Sequence, residues 1–78
     1  MKVNVKYFGA IAESAGKSEE VLDLEKGSSV KDLKNQQIKK YQIQDADSIQ
    51  IAVNQDLKNE VELKDGDEVA FLPPFAGG

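Results

Sequence analysis

Residues 2–8 alternate, with Val3, Val5 and Tyr7 on one side and Lys2, Asn4 and Lys6 on the other. A period of two predicts a half-buried strand. Phe8 breaks the pattern by falling on the lysine side. Either the strand's last side chain curls under a loop, or an exposed aromatic is there to meet a partner. Gly9 ends the strand, and Ala10-Ile11-Ala12-Glu13-Ser14-Ala15 reads as a short helix closed by Gly16. Residues 20–24 read as a second strand, with Lys26-Gly27 as the turn after it. Ser29 has the character of an N-cap, and Asp32 three residues later makes a relative of the capping box. Val30, Leu33, Ile38 and Tyr41 then fall at helical spacing, with Lys31, Lys34, Lys39 and Lys40 between them. This is the main helix, with one apolar face for one sheet. Lys39 and Lys40 suit its C-terminal end through the helix dipole. Residues 42–48 are polar and aperiodic and read as a loop. Ile49, Ile51 and Val53 alternate with Gln50 and Ala52 as a third strand. Asn54-Gln55-Asp56 turns it and leaves Leu57 on a loop. A short fourth strand is expected at Val61 and Leu63. Lys64-Asp65-Gly66-Asp67 is a tight turn of the Asp-Gly kind. Val69-Ala70-Phe71-Leu72 is the last strand, with Val69 and Phe71 on one face and Ala70 and Leu72 on the other.

That last strand must stop where it does. Pro73 and Pro74 lack backbone N–H groups and have a fixed φ. Consecutive prolines favour extended polyproline II, so Pro73-Pro74-Phe75-Ala76-Gly77-Gly78 is expected to be an extended tail. Its reach is roughly 20 Å at about 3.3 Å per residue. The division is therefore a folded domain over residues 1–72 and a tail over residues 73–78. Glycine loses more conformational entropy on ordering than any other residue, so closing glycines suggest a need for the missing Cβ. A narrow slot in a partner enzyme would create that need, and it would leave the α-carboxylate of Gly78 as the reactive group at the tip. The plain alternative is a frayed, small-residue chain end. The order strand, prolines, diglycine favours the functional reading.

Composition removes most other chemistry. The 78 residues include no cysteine and no histidine. Disulfides, thiolate or imidazole metal sites, iron–sulfur clusters and Cys or His nucleophiles are excluded. The net charge is −4, and all 10 basic residues are lysines. Arginine is the side chain best suited to bidentate phosphate and guanine contacts, so an acidic chain without it is a poor nucleic-acid binder. Neither a secretory apolar segment nor a long apolar run is present, which predicts a soluble, cytoplasmic protein that does not enter membranes. Asp65, Asp67 and Glu68 crowd together, but a calcium site needs six to eight oxygens in a defined spacing. They read as a solvated turn, or as an acidic docking patch near the tail.

Taken together, Tyr7-Phe8-Gly9, Val53-Asn54-Gln55, Asp65-Gly66-Asp67-Glu68-Val69, Leu72-Pro73-Pro74 and Ala76-Gly77-Gly78 resemble the ubiquitin-like sulfur carriers that serve as small subunits of molybdopterin synthase. The resemblance spans essentially the whole chain and is weakest over residues 39–48. It implies an α+β, β-grasp fold: a mixed sheet with the main helix across it, and the first and last strands adjacent and parallel at its centre. It implies that a ubiquitin-activating-like adenylyltransferase uses ATP to adenylate the Gly78 carboxylate, and that a sulfur donor protein converts the acyl-adenylate to a thiocarboxylate. The tail, with Phe75, Ala76, Gly77 and Gly78, would enter the large synthase subunit and pass sulfur to a cyclic pyranopterin precursor. Phe8, Leu57, Leu72, Pro73 and Pro74 would form the interface, in a heterotetramer of two small and two large subunits. On this reading the chain binds no cofactor or metal of its own, and catalytic groups come from the large subunit, because a chain without histidine lacks the usual base. Phe75 stands where such carriers often have a smaller residue such as valine. Either the partner's channel is wider there, or Phe75 packs at its mouth.

Other readings share the fold. A carrier supplying sulfur for thiazole in thiamine synthesis would also end in a diglycine, though the Pro-Pro pair argues against it. A protein modifier would join Gly78 to lysines. A plain binding module of this fold would work with its tail deleted. The fate of Gly78 separates them.

Overall fold

The computed structural model describes residues 1–58 and 60–73. Strand β1 (Lys2–Tyr7) is followed by a short helix α1 (Ala10–Ala15), strand β2 (Glu19–Asp23) and the main helix α2 (Val30–Tyr41). Strands β3 (Gln50–Val53), β4 (Asp56–Leu57) and β5 (Glu68–Leu72) complete the chain order. The sheet order is β2-β1-β5-β3-β4. The pair at its centre, β1 and β5, is parallel, with Val5 opposite Val69 and Tyr7 opposite Phe71. The remaining pairs are antiparallel.

The alternation in β1 and β5 sorts side chains as expected. Val3, Val5, Tyr7, Val69 and Phe71 are buried, and so are Ile49, Ile51 and Val53 from the region of β3. Phe71 is fully enclosed and lies 5.5 Å, ring to ring, from Tyr7. Helix α2 covers this face through Val30 and Leu33. Its start is fixed by a complete capping box. The Ser29 hydroxyl accepts from the Asp32 N–H, and the Asp32 carboxylate accepts from the Ser29 N–H, each at 3.1 Å. The helix ends at Gln42, in the left-handed region with φ 53°.

Three local expectations are corrected. No strand forms at Val61 and Leu63; that segment has only an isolated bridge between Glu62 and Ser29. It lies against the start of α2, where the Val30 N–H donates to Val61 O and the Leu63 N–H donates to Ser28 O. Leu63 is buried there, so the apolar alternation marks a docked segment and not a ladder. Leu57 is not on a loop, because Asp56 and Leu57 pair with Val53 and Ala52. The intervening Asn54 and Gln55 both have positive φ, the geometry of a two-residue hairpin turn. The aperiodic stretch after α2 holds a 3-10 turn at Ala46–Ser48, and Ile43 within it is buried.

The hairpin turn is tied to the turn before β5. Asn54 Nδ2 donates to Asp67 Oδ1, the Glu68 N–H donates to Asn54 Oδ1, and the Lys64 N–H donates to Asp67 Oδ2. Asp65 accepts from the Lys2 N–H at 2.7 Å. The acidic residues of this turn thus accept bonds from neighbouring N–H groups and lock the register of β5 between β1 and β3. Among the described residues no acidic cluster has the arrangement of a metal site.

Candidate partner-binding face and tail root

With α2 on one side, the other side of the sheet carries no helix among the described residues. Register places Lys6, Ala70, Ala52 and Leu57 in one row across this open face. Leu72, opposite Gln50, begins the next row, beside Phe8 at the end of β1. Phe8 is 45% exposed and Leu57 is 63% exposed, both high for large apolar side chains. Leu72 is half-buried. The structure therefore rejects the arrangement in which Phe8 curls under a loop. Leu57 and Leu72 share one face by register, with the small Ala52 and Ala70 between them, and exposed Phe8 falls on that side by the alternation of β1.

The other half of the same face is charged. Lys6 and Glu68 approach to 3.5 Å, and Asn4, Glu19 and Val21 join them around a shallow depression of about 420 Å³. Val21, 60% exposed, is an apolar member of this face that the strand pattern did not single out. Its partner Asn4 puts it on the outer side, a fact that requires the pairing register.

Beneath the face, on the helix side, lies a polar cluster that no sequence pattern pointed to. Glu20 Oε2 accepts from the Tyr7 hydroxyl at 2.6 Å, the Tyr41 hydroxyl at 2.7 Å and Gln37 Nε2 at 3.3 Å. Gln37, fully buried, also donates to the Tyr7 hydroxyl at 2.7 Å. Burial by itself would raise the Glu20 pKa. The hydroxyl bonds from Tyr7 and Tyr41, with Lys17 and Lys40 nearby, more than offset it and hold the carboxyl below the usual carboxylate range. Burial first, and then the bond to Glu20, pushes the Tyr7 hydroxyl well above an ordinary phenol. The cluster fastens β1 and β2 to the C-terminal half of α2. Every buried polar side-chain atom among the described residues has a partner.

The tail begins where these elements meet. Tyr7 ends β1, and Gly9 turns the chain into α1 with φ 58° and ψ −136°. Pro73 follows directly on β5 and comes close to Gly9: a Cβ on Gly9 would sit 3.2 Å from Pro73 Cγ. Pro73 also lines an open groove of about 320 Å³, with Ala10, Ile11 and Ile43 on its walls. Of the expected tail residues, Pro74, Phe75, Ala76, Gly77 and Gly78 lie outside the described residues.

A mixed sheet that grips one helix on a single face, with parallel first and last strands at its centre, is the β-grasp architecture of ubiquitin-like proteins. The chain belongs to the ThiS family, whose profile matches residues 5–78. It is 42% identical to the molybdopterin synthase sulfur carrier subunit of Mycobacterium tuberculosis, an alignment that covers 100% of this chain and 99% of that one. Among solved structures it is similar to the Helicobacter pylori complex of subunits 1 and 2 of molybdopterin-converting factor, with 30% identity, a TM-score of 0.71 and full coverage of both chains. It is also similar to small archaeal modifier protein 1 of Methanosarcina acetivorans, with 31% identity, a TM-score of 0.76 and coverage of 99% of this chain and 96% of that one. No helix among the described residues is long and apolar enough to cross a membrane.

Proposed function

We propose that this protein is the sulfur carrier of molybdenum cofactor biosynthesis, the small subunit of a molybdopterin synthase. The observation that carries the reading is the 42% identity to a named sulfur carrier subunit over the whole of this chain. The likeness to a complex of converting-factor subunits 1 and 2 supports a larger partner subunit.

The chemistry follows from what Gly78 offers. A carboxylate is a poor electrophile, so a partner adenylyltransferase must activate it: a carboxylate oxygen attacks the α-phosphorus of ATP and pyrophosphate leaves. A hydrosulfide ion released by a donor protein then attacks the acyl carbon, AMP leaves with the bridging oxygen, and Gly78 becomes a thiocarboxylate. Within the large subunit that sulfur attacks a carbon of the pyranopterin precursor and displaces an oxygen leaving group, giving a thioester. Water then attacks the acyl carbon, the bond from Gly78 to sulfur breaks, and the sulfur stays on the precursor while the carboxylate is restored. A chain without cysteine brings no competing thiol. Phe8, Leu57 and Leu72 dock the large subunit, Pro73 and Pro74 lead the tail away from the sheet, and Phe75, Ala76, Gly77 and Gly78 occupy the partner's active site.

Two tail changes test this. Deleting Gly78 shortens the reach by roughly 3.5 Å. Adding one alanine after Gly78 moves the carboxylate and brings a methyl group into the slot. Both proteins are expected to fold and bind the large subunit, and neither is expected to convert the precursor in a reconstituted assay. Placement errors of about 1 Å can already cost on the order of a hundredfold in a positioned reaction. Full activity of an intact, unprocessed alanine-extended protein would refute the proposal.

The likeness to an archaeal modifier protein favours a second reading, in which Gly78 is also joined to lysines of other proteins. Isopeptide-linked Gly78 remnants on other proteins from native cells would support it.

A further inference from the structure

We propose that Gly9 is a positioning residue for sulfur transfer, because its bare Cα is the wall against which the Pro73 ring seats. This rests on the carrier reading above. The tail root borders the open groove lined with Ile11 and Ile43 on one side and the backbone of Gly9 on the other. The approach to Gly9 leaves no room for a side chain. A Cβ there would be 3.2 Å from Pro73 Cγ and 3.8 Å from Pro73 Cβ. The shorter distance is tighter than ordinary van der Waals contact, so the Pro73 ring must give by a few tenths of an ångström, and its backbone-closed pyrrolidine has only its pucker to do so. Pro73 itself would have to move, and with it the start of the tail. Gly9 is further restricted by its φ of 58°, which side chains rarely adopt. Elsewhere in the fold, Gly16, Gly27 and Gly66 also have positive φ, but a Cβ on any of them would meet nothing within 4 Å. Gly9 alone of these combines the turn with a contact to the tail.

The consequence is a division of labour at the end of β1. Phe8 presents its ring to a partner, and the next residue sets where the tail leaves the domain. A displacement at the root changes where the tail starts, and transfer at Gly78 depends on placement.

A double-mutant cycle with Gly9→Ala and Pro73→Ala tests this in the complex with the large subunit. Pro73→Ala deletes Cγ and leaves only the ordinary 3.8 Å contact. The measurements are melting temperature, affinity for the large subunit, and the single-turnover rate of sulfur transfer from pre-loaded thiocarboxylate. Gly9→Ala is expected to lower the transfer rate at least about tenfold, given the steep dependence on placement, while affinity changes less than about threefold. In the Pro73→Ala background, adding Gly9→Ala is expected to lower the rate by less than about threefold. Equal losses in both backgrounds would overturn the inference, since backbone strain alone would produce them. So would a folded Gly9→Ala protein that transfers at the parent rate. Should Gly9→Ala not fold, Pro73→Ala by itself decides: the inference requires slower single-turnover transfer at saturating large subunit, and an unchanged rate overturns it. A parent protein that never transfers sulfur would instead defeat the carrier reading.

Discussion

Glu20 is the residue whose environment makes the sharpest stability prediction. One of its oxygens accepts from Tyr7, Tyr41 and Gln37, and its pKa is lowered in the folded protein. A depressed folded-state pKa contributes stability that is present above the unfolded carboxyl value of roughly 4.3 and is lost as pH falls through the folded value. Tyr7 works in the opposite sense: its raised pKa contributes stability that is present below roughly 10 and is lost as pH rises beyond that. Glu20→Gln keeps the size but weakens charge-assisted bonds, and is expected to cost about 1–3 kcal/mol near neutrality. Melting curves from neutral to acidic buffer check it, since the gap between parent and variant must shrink as Glu20 protonates. A constant gap would contradict the assignment. None of this was legible in the sequence. Gln37 is a polar residue at a fully buried helix position, and its partners lie on other elements. Period alone marks only apolar side chains as core, and it cannot see a hydrogen bond across 30 residues.

At the scale of elements, strand parity was the most informative signal. It puts Tyr7 and Phe71 in the core, where both are buried, and Leu72 on the opposite face, where it pairs with Gln50; Phe8, just past the end of β1, is exposed. The strand order was not legible from the residues, because pairing between β1 and β5 joins opposite ends of the chain; the family resemblance alone implied it. Two-residue β4 was missed because so short a strand has no period, and Val61 and Leu63 were misread because alternation also serves a segment docked on a helix end. The open face carries its own prediction. Phe8→Ala or Leu72→Ala removes an apolar side chain that the core does not use, so each isolated variant should melt near the parent. Each is expected to weaken the complex with the large subunit by up to about 1.5–3 kcal/mol, the range for fully burying such a side chain. Calorimetric titration decides it: unchanged affinity for both variants would remove Phe8 and Leu72 from the interface.

On the proposed function, the whole molecule is a scaffold for one carboxylate. The central parallel pair β1 and β5 brings the last strand to the middle of the sheet, and Pro73 follows that strand beside Gly9. A domain of 78 residues without cysteine or histidine has few ways to do chemistry, and a terminal glycine that partners activate requires neither. The expectation of a tail rests on proline and glycine, which act on the backbone directly without needing partners elsewhere in the fold; residues 74–78 lie outside the described residues. The most direct measurement is the intact mass of the protein purified from its native cells, with fragmentation to locate any change. The carrier account predicts a fraction in which one oxygen is replaced by one sulfur, located at Gly78 and lost on hydrolysis. Only unmodified protein, in cells that are actively making molybdenum cofactor and in which sulfur delivery to the precursor is blocked, would contradict it.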